Sequence, residues 1–257
     1  MNHNAKQTVK YFVIAFIISF IIGNILSAIF SSAEEIHVDQ EKDFDIVETD
    51  FDEIRLLTYE TKEDLYSIKF ELPFFKSEGL NNFFKGYMKR TNDQFLTVIE
   101  GNVTEERPGN LNVNLDIYES GEDLYSLVFT ESEYTGGANV NETGHTWLVD
   151  LKKNRIIKQG ELFKNTRKAR DIIRPKVQQA LLDQPDLGVF EEELDQWVNQ
   201  PKYMFENMFI RDGKLVFRFD KYEITPGAAG MPEVEISIDE DIQSLFKKNW
   251  AKRLGVN

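Results

Sequence analysis

Apolar and polar residues alternate along much of the chain after residue 60, and this period of two predicts half-buried β-strands. The turns between neighbouring strands fall at the short polar sequences SGED, KKN and DG, and the last of these is Asp212-Gly213. Strands are therefore expected at 64–75, 111–119, 124–134, 145–151, 155–163 and 233–238, and as a hairpin over 204–220.

The period changes to that of an amphipathic helix in several other segments. Helices are predicted at 166–182 (where Pro175 should kink or break the helix), 189–198 and 239–254, where Ser237 and Glu240 form a possible capping box. A further helix at 79–101 should bury one stripe formed by Leu80, Phe83, Phe84, Tyr87, Met88, Phe95 and Val98.

Runs of hairpin-linked strands separated by helices predict an α+β fold. We expect antiparallel sheets with helices packed on one face, arranged as two subdomains at 54–143 and 144–250. The boundary should lie near residues 140–145, where the sequence is rich in glycine and asparagine.

The N-terminal segment differs from the rest because residues 11–30 carry no charge. A helix of this length spans about 30 Å, which is the thickness of the bilayer hydrocarbon core. Lys6 and Lys10 precede the run and acidic residues follow it, so the positive-inside rule predicts a cytoplasmic tail at 1–10, a single-pass anchor at 11–33 and an extracytoplasmic remainder. Cleavage as a signal peptide after Ala33 is the alternative.

The acidic charge of the chain limits its partners. The net charge is −14, and no acidic residue lies within the first 33 residues, so the predicted extracytoplasmic part is even more acidic than the whole. Such a surface repels phosphate backbones, so nucleic-acid binding is not expected. It would attract cationic partners. Residues 34–53, where acids recur at nearly every second position, are interpreted as an extended stalk.

Residues that could perform catalysis or hold a metal are few. The chain has no cysteine, and its three histidines are His3, His37 and His145. A metal site or a Ser-His-Asp triad outside the membrane would have to use His145, which lacks a histidine partner in the sequence around it. We therefore predict no catalytic residue, no metal site and no cofactor, although carboxylates on a sheet remain an alternative for hydrolysis.

The stretch YTGGANVNETGHTW at 134–147 lies between two predicted strands, without a following helix that could hold a phosphate. Glycine here favours a sharp corner with positive φ. Tyr134, Gly136, Gly137 and Asn139 are nevertheless candidate ligand contacts, because connecting segments often carry binding residues.

A second candidate is the loop KYEITPGAAGMPE at 221–233, where prolines restrict the backbone and glycines allow unusual φ values. An ordered loop with an aromatic residue is a good recognition surface. Its candidate contacts are Tyr222, Glu223, Met231 and Glu233. The alternative is that Tyr222 only caps the core.

These two motifs, YTGGANVNETGHTWLVDLKKNRIIKQGELF and FIRDGKLVFRFDKYEITPGAAGMPEVEISI, resemble a paired extracytoplasmic module. The module is shared by RsiV-type lysozyme-sensing anti-sigma factors and the N-terminal region of PdaC-type peptidoglycan deacetylases. The resemblance covers about residues 50–248, with a PdaC-type half at 54–143 and an RsiV-type half at 144–250. Asn139 stands where members of this group often have histidine, and we expect the shared module on a tether without either effector.

The resemblance implies a membrane-anchored binding or sensing module whose ligand is peptidoglycan or a cationic wall-active protein such as lysozyme. A wall-modifying hydrolase that uses carboxylates is one alternative. An accessory subunit of an envelope complex is another, since Ser19, Gly23 and Ser27 repeat at the spacing that lets membrane helices pack closely.

Overall fold

The computed structural model describes residues 44–199 and 205–256, and it shows a mixed α+β fold with a large sheet, a small sheet and helices. The strands are β1 (Phe44–Glu48), β2 (Arg55–Lys62), β3 (Tyr66–Phe74), β4 (Gly109–Gly121), β5 (Leu124–Tyr134), β6 (Asn141–Asp150), β7 (Arg155–Ile157), β8 (Met208–Arg211), β9 (Lys214–Arg218) and β10 (Glu233–Ser237). The helices are α1 (Glu78–Ile99), α2 (Thr166–Leu182), α3 (Glu191–Asn199), α4 (Glu240–Gln243) and α5 (Lys248–Arg253).

The large sheet has the order β1-β2-β3-β4-β5-β6-β7, and the small sheet has the order β10-β9-β8. One pair in the large sheet departs from the predicted antiparallel arrangement, because β3 and β4 run parallel with Phe70 opposite Val113. The physical reason is α1, which connects these strands. A crossover of a dozen or more residues is what a parallel pair requires.

The described residues form two compact units. The first unit contains residues 44–114 and Ser132–Val140, and the second contains Leu115–Glu131 and the described part of Asn141–Asn257. Strands β4 and β5 therefore contribute residues to both units. The predicted subdomain boundaries, with a joint at 140–145, stay a prediction.

Limited proteolysis tests this joint. If residues 140–145 act as a hinge between subdomains, a nonspecific protease should cut there before it cuts either unit, because exposed mobile loops are preferred sites of nicking. Mass spectrometry of the first fragments gives the position. Resistance at 140–145, with early cleavage only before residue 54, would contradict the joint.

In the first unit, α1 buries Leu80, Phe84, Tyr87, Met88 and Phe95, as the helical stripe predicts. The stripe is wrong at Phe83 and Val98, which are exposed, because the buried face continues instead through polar residues. Asn81 shows how such a residue is tolerated: its amide side chain bonds both the N–H and the C=O of Phe75 at 2.9 Å.

In the second unit, α2 begins at the Asn165 cap and is continuous through Pro175, so the predicted break is wrong. The predicted strand at 155–163 ends at Ile157 and becomes a 3-10 helix at Gln159–Leu162. The predicted C-terminal helix is two short helices, α4 and α5, and its cap is Asp239 rather than Ser237. The strand β10 ends at Ser237, which is why this residue cannot begin the helix.

Towards the C-terminal end of the predicted stalk, β1 forms and pairs with β2. The stalk itself stays a prediction. No helix among residues 44–199 and 205–256 is long and apolar enough to cross a membrane. The predicted anchor at 11–30 lies outside these residues.

Candidate functional site

The structure places the candidate contacts in two groups. Tyr134, Gly136, Gly137 and Asn139 belong to the first unit, whereas Tyr222, Glu223, Met231 and Glu233 belong to the second. Each group is therefore described within its own unit.

In the first unit, the double glycine is built into a tight corner. Gly136 has φ = 93°, and a Cβ atom at this position would collide with the carbonyl oxygen of Asn102. The guanidinium of Arg107 donates to the hydroxyl of Tyr134 at 2.9 Å and to the carbonyl oxygens of Gly136 and Gly137, each at 3.3 Å. These contacts give the corner a scaffolding role. Asn139 is exposed beside it.

In the second unit, the end of the stretch at 134–147 contacts the start of the loop that carries Tyr222. The carboxylate of Asp220 accepts a hydrogen bond from the backbone N–H of Gly144 at 2.7 Å. The backbone N–H of Lys221 donates to the carbonyl oxygen of Glu142 at 3.2 Å, and the Lys221 ammonium lies 3.4 Å from the Glu142 carboxylate. Residues far apart in sequence thus form one local surface.

His145 is influenced by two carboxylates on neighbouring elements, and we name Glu131, His145 and Asp220 the histidine–carboxylate cluster. His145 Nε2 is 3.2 Å from Glu131 Oε1. The imidazole stacks on the indole of Trp147, with ring centroids 5.7 Å apart. The Glu131 side chain is 9% exposed and that of His145 is 45% exposed, so a buried carboxylate holds a histidine that solvent and ligands can reach.

The electrostatics of the cluster follow from this arrangement. Burial alone would lower the pKa of His145, but the hydrogen bond and charge of Glu131, with the charge of Asp220, raise the pKa above its ordinary value. Burial and the neighbouring Glu131 raise the pKa of Asp220, although the Gly144 N–H and His145 oppose the rise. Burial and the charge of Asp220 also raise the pKa of Glu223.

The cluster adjoins the loop at 220–232, which carries Tyr222. This residue has φ = 71°, a left-handed conformation that is a genuine outlier for a bulky side chain. The residue is 49% exposed, and its ring lies so close to Gly227 that a Cβ atom on Gly227 would collide with it. Gly230, with φ = 66°, supplies the second unusual backbone angle, as the sequence predicts.

The remaining candidates in the loop have internal partners. The Glu223 carboxylate accepts a hydrogen bond from the backbone N–H of Asp220 at 2.9 Å. Glu233 pairs with Arg211 and Arg218 at 2.9 and 2.5 Å. The Met231 side chain lies against the backbone at Gly144. Their roles as ligand contacts stay predictions.

Sequence reasoning missed Glu131 and Asp220, and for His145 it concluded only that a histidine partner is lacking. The alternation of apolar and polar residues in β5 does not distinguish Glu131 from the other acidic residues of the chain. The only signal is that Asp220 ends an apolar run and directly precedes the Tyr222 loop. Within the described residues, no group of three or more His, Cys, Asp or Glu side chains could hold a metal ion.

Part of the second unit matches a known protein family. Residues 160–239 match the family model described as "Protein of unknown function (DUF3298)". The chain is also 22% identical, over 187 residues, to the peptidoglycan-N-acetylmuramic acid deacetylase PdaC of Bacillus subtilis (strain 168). The alignment covers 72% of this chain but only 39% of PdaC. This similarity supports the predicted resemblance to PdaC.

Two solved structures share the fold. A DUF3298 family protein from Pseudomonas aeruginosa PAO1 has a TM-score of 0.55 at 15% identity, covering 77% of this chain and 95% of that protein. A DUF3298 member from Bacteroides fragilis NCTC 9343 has a TM-score of 0.55 at 14% identity, covering 84% of this chain and all of that protein. At these identities the likeness establishes the fold, and the chain resembles DUF3298 proteins in its architecture.

Proposed function

We propose that this protein is a membrane-anchored extracytoplasmic binding module of the cell envelope, and that its ligand is peptidoglycan. The loop at 220–232 makes the contact, with Tyr222 at its centre. The module binds and does not cleave its ligand.

The observation that carries the proposal is the backbone of Tyr222. Left-handed conformations of bulky residues cost about 1–3 kcal/mol and persist where the surroundings enforce them, often at functional sites. Here the enforced conformation holds the aromatic ring against Gly227, and the residue is about half exposed. An aromatic residue that served only as core packing would be buried.

The surroundings of Tyr222 suit a glycan. A pyranose ring presents C–H groups on its face, which bury apolar area against an aromatic ring, and hydroxyl and amide groups on its edge. His145, Asp220 and Glu223 supply donors and acceptors for such groups. A mostly apolar contact with a few placed polar groups is the usual composition of small-ligand sites.

The similarity to PdaC supports the choice of ligand, because that protein acts on peptidoglycan. The uncharged run at 11–30 supports the location, since it would hold the module outside the membrane and close to the wall.

The acidic net charge favours one second candidate, a cationic wall-active protein such as lysozyme. Charge complementarity would steer such a partner at long range and would weaken with added salt. The predicted resemblance to RsiV-type lysozyme-sensing proteins would favour this second candidate, and it stays a prediction.

A sedimentation assay separates these readings. Full-length protein purified in detergent should sediment with purified peptidoglycan sacculi, should not be retained on immobilised lysozyme, and should release no soluble muropeptides. Retention on lysozyme alone, lost at high salt, would favour the cationic partner. Release of muropeptides that stops in the Glu131→Gln variant would instead show a hydrolase, and binding to neither matrix would contradict a wall ligand.

A further inference from the structure

The histidine–carboxylate cluster joins three parts of the second unit. Glu131 comes from β5, His145 from β6, and Asp220 from the chain just after β9. Asp220 is the branch point: its carboxylate bonds the Gly144 N–H at 2.7 Å, and its own N–H bonds Glu223 at 2.9 Å. The start of the Tyr222 loop is therefore fixed through a carboxylate that is bonded to Gly144, the residue next to His145.

The charge on His145 decides whether the negative charges of Glu131 and Asp220 are compensated. Glu131 and Asp220 are the charged groups that act on His145 from the neighbouring elements. When the imidazole is protonated, its positive charge attracts two carboxylates, that of Glu131 at 3.2 Å and that of Asp220, which is bonded to the neighbouring Gly144. When it is neutral, Glu131 and Asp220 repel each other without that cation, and Glu131 already disfavours the ionised form of Asp220.

We propose that protonation of His145 controls the order of the loop at 220–232, and through it the binding of peptidoglycan. The protonated imidazole holds Asp220 in place, so that Tyr222 keeps its left-handed conformation over Gly227. Loss of the proton removes this attraction, so that the Gly144 N–H alone holds the Asp220 carboxylate and the strained loop relaxes. The part concerning binding rests on the proposed function, whereas the part concerning loop order does not.

The direction of the pH dependence follows from linkage. Because the folded protein raises the pKa of His145, its stabilising contribution is complete below the ordinary value of 6.5 and is lost as the pH rises through the folded value. The raised pKa values of Asp220 and Glu223 act in the same sense, since each carboxylate destabilises the folded state once it is ionised. The loop should thus be most ordered in mildly acidic solution.

Hydrogen exchange measured by mass spectrometry tests the switch. Full-length protein in detergent is compared with the His145→Gln variant at matched pH values between about 5.5 and 8.5, so that intrinsic exchange rates cancel. Wild-type amides at 221–231 should be about three- to tenfold better protected than those of the variant at the acidic end, and the difference should vanish at the basic end. His37→Gln is the matched control and should behave as wild type.

The outcomes are distinct. A wild-type and a His145→Gln protein with the same loop protection at every pH would overturn the switch, as would a Glu131→Gln variant that leaves the pH dependence unchanged. Sedimentation with sacculi on the same samples should decline in parallel with protection in the wild type. Absence of sedimentation at any pH, with the protection pattern as expected, would refute the proposed ligand and leave the switch standing.

Discussion

Replacing Arg253 with alanine is expected to lower the free energy of unfolding of the second unit by about 3–5 kcal/mol. The guanidinium lies 2.9 Å from both carboxylate oxygens of Asp150 and also donates to the carbonyl oxygens of Glu122 and Asp123. The Asp150 side chain is fully buried and that of Arg253 is 11% exposed. The variant would leave the buried Asp150 carboxylate without its cation, and an uncompensated buried charge strongly destabilises the folded state.

The measurement is urea unfolding followed by tryptophan fluorescence. All three tryptophans, Trp147, Trp197 and Trp250, lie in the second unit, so the signal reports on that unit. The matched control is Arg155→Ala, which breaks the ion pair with Glu161, whose two side chains are more than one third exposed. Exposed pairs contribute about 0–1 kcal/mol. Equal losses in the two variants would contradict the importance assigned to burial.

The same pair predicts a response to acid. Burial would raise the pKa of Asp150, but Arg253 and the backbone N–H of Lys153 outweigh it and lower the pKa. A lowered pKa means that the pair contributes its full stability above the unfolded value and loses it as the pH falls through the folded value. The wild type should therefore lose stability below about pH 4 more steeply than Arg253→Ala.

The second large effect is expected at the glycine corner. Gly136→Ala should destabilise the first unit by about 1–3 kcal/mol from the left-handed backbone alone. The cost should rise further because the new methyl group must displace the carbonyl oxygen of Asn102. Gly137→Ala is the matched control, since a Cβ atom there meets nothing within 4 Å and its φ is not in the left-handed region.

Hydrogen exchange in α1 and β3 reports on the first unit, which contains no tryptophan. Gly136→Ala should increase exchange in these elements, while Gly137→Ala should not. If both variants are equally stable but sediment less with sacculi, the corner is a ligand contact and its scaffolding role is wrong.

Much of the fold could be predicted from local patterns. The hairpin at Asp212-Gly213 forms β8 and β9, and α2 has the predicted bounds, because turn chemistry and helical periodicity act over a few residues. The segment at 55–62 was missed although Leu57 and Tyr59 are buried in alternation. This strand is held by its pairing with β1 and β3, which the local sequence does not show.

The candidate site could be predicted only in part. Tyr222 and its glycines could be predicted because proline restricts the backbone locally and glycine permits unusual φ values. The histidine–carboxylate cluster could not, because Glu131, His145 and Asp220 come from three segments that only the folded chain brings together. The partner of a single histidine is a long-range property, and the sequence around His145 does not contain it.

The most direct test of the central claim, that the loop at 220–232 binds peptidoglycan through Tyr222, is sedimentation of the Tyr222→Ala variant with purified sacculi. The matched control is Phe83→Ala, which removes another exposed aromatic side chain, on α1 of the first unit. The Tyr222→Ala substitution should leave the melting temperature of the second unit nearly unchanged, because the tyrosine side chain is about half exposed and contributes little buried packing. Alanine must adopt the same positive φ, so the backbone strain is not removed. The account predicts that Tyr222→Ala loses at least about tenfold in affinity, equivalent to about 1.4 kcal/mol, while Phe83→Ala binds as wild type. Equal binding by wild type, Tyr222→Ala and Phe83→Ala would contradict it.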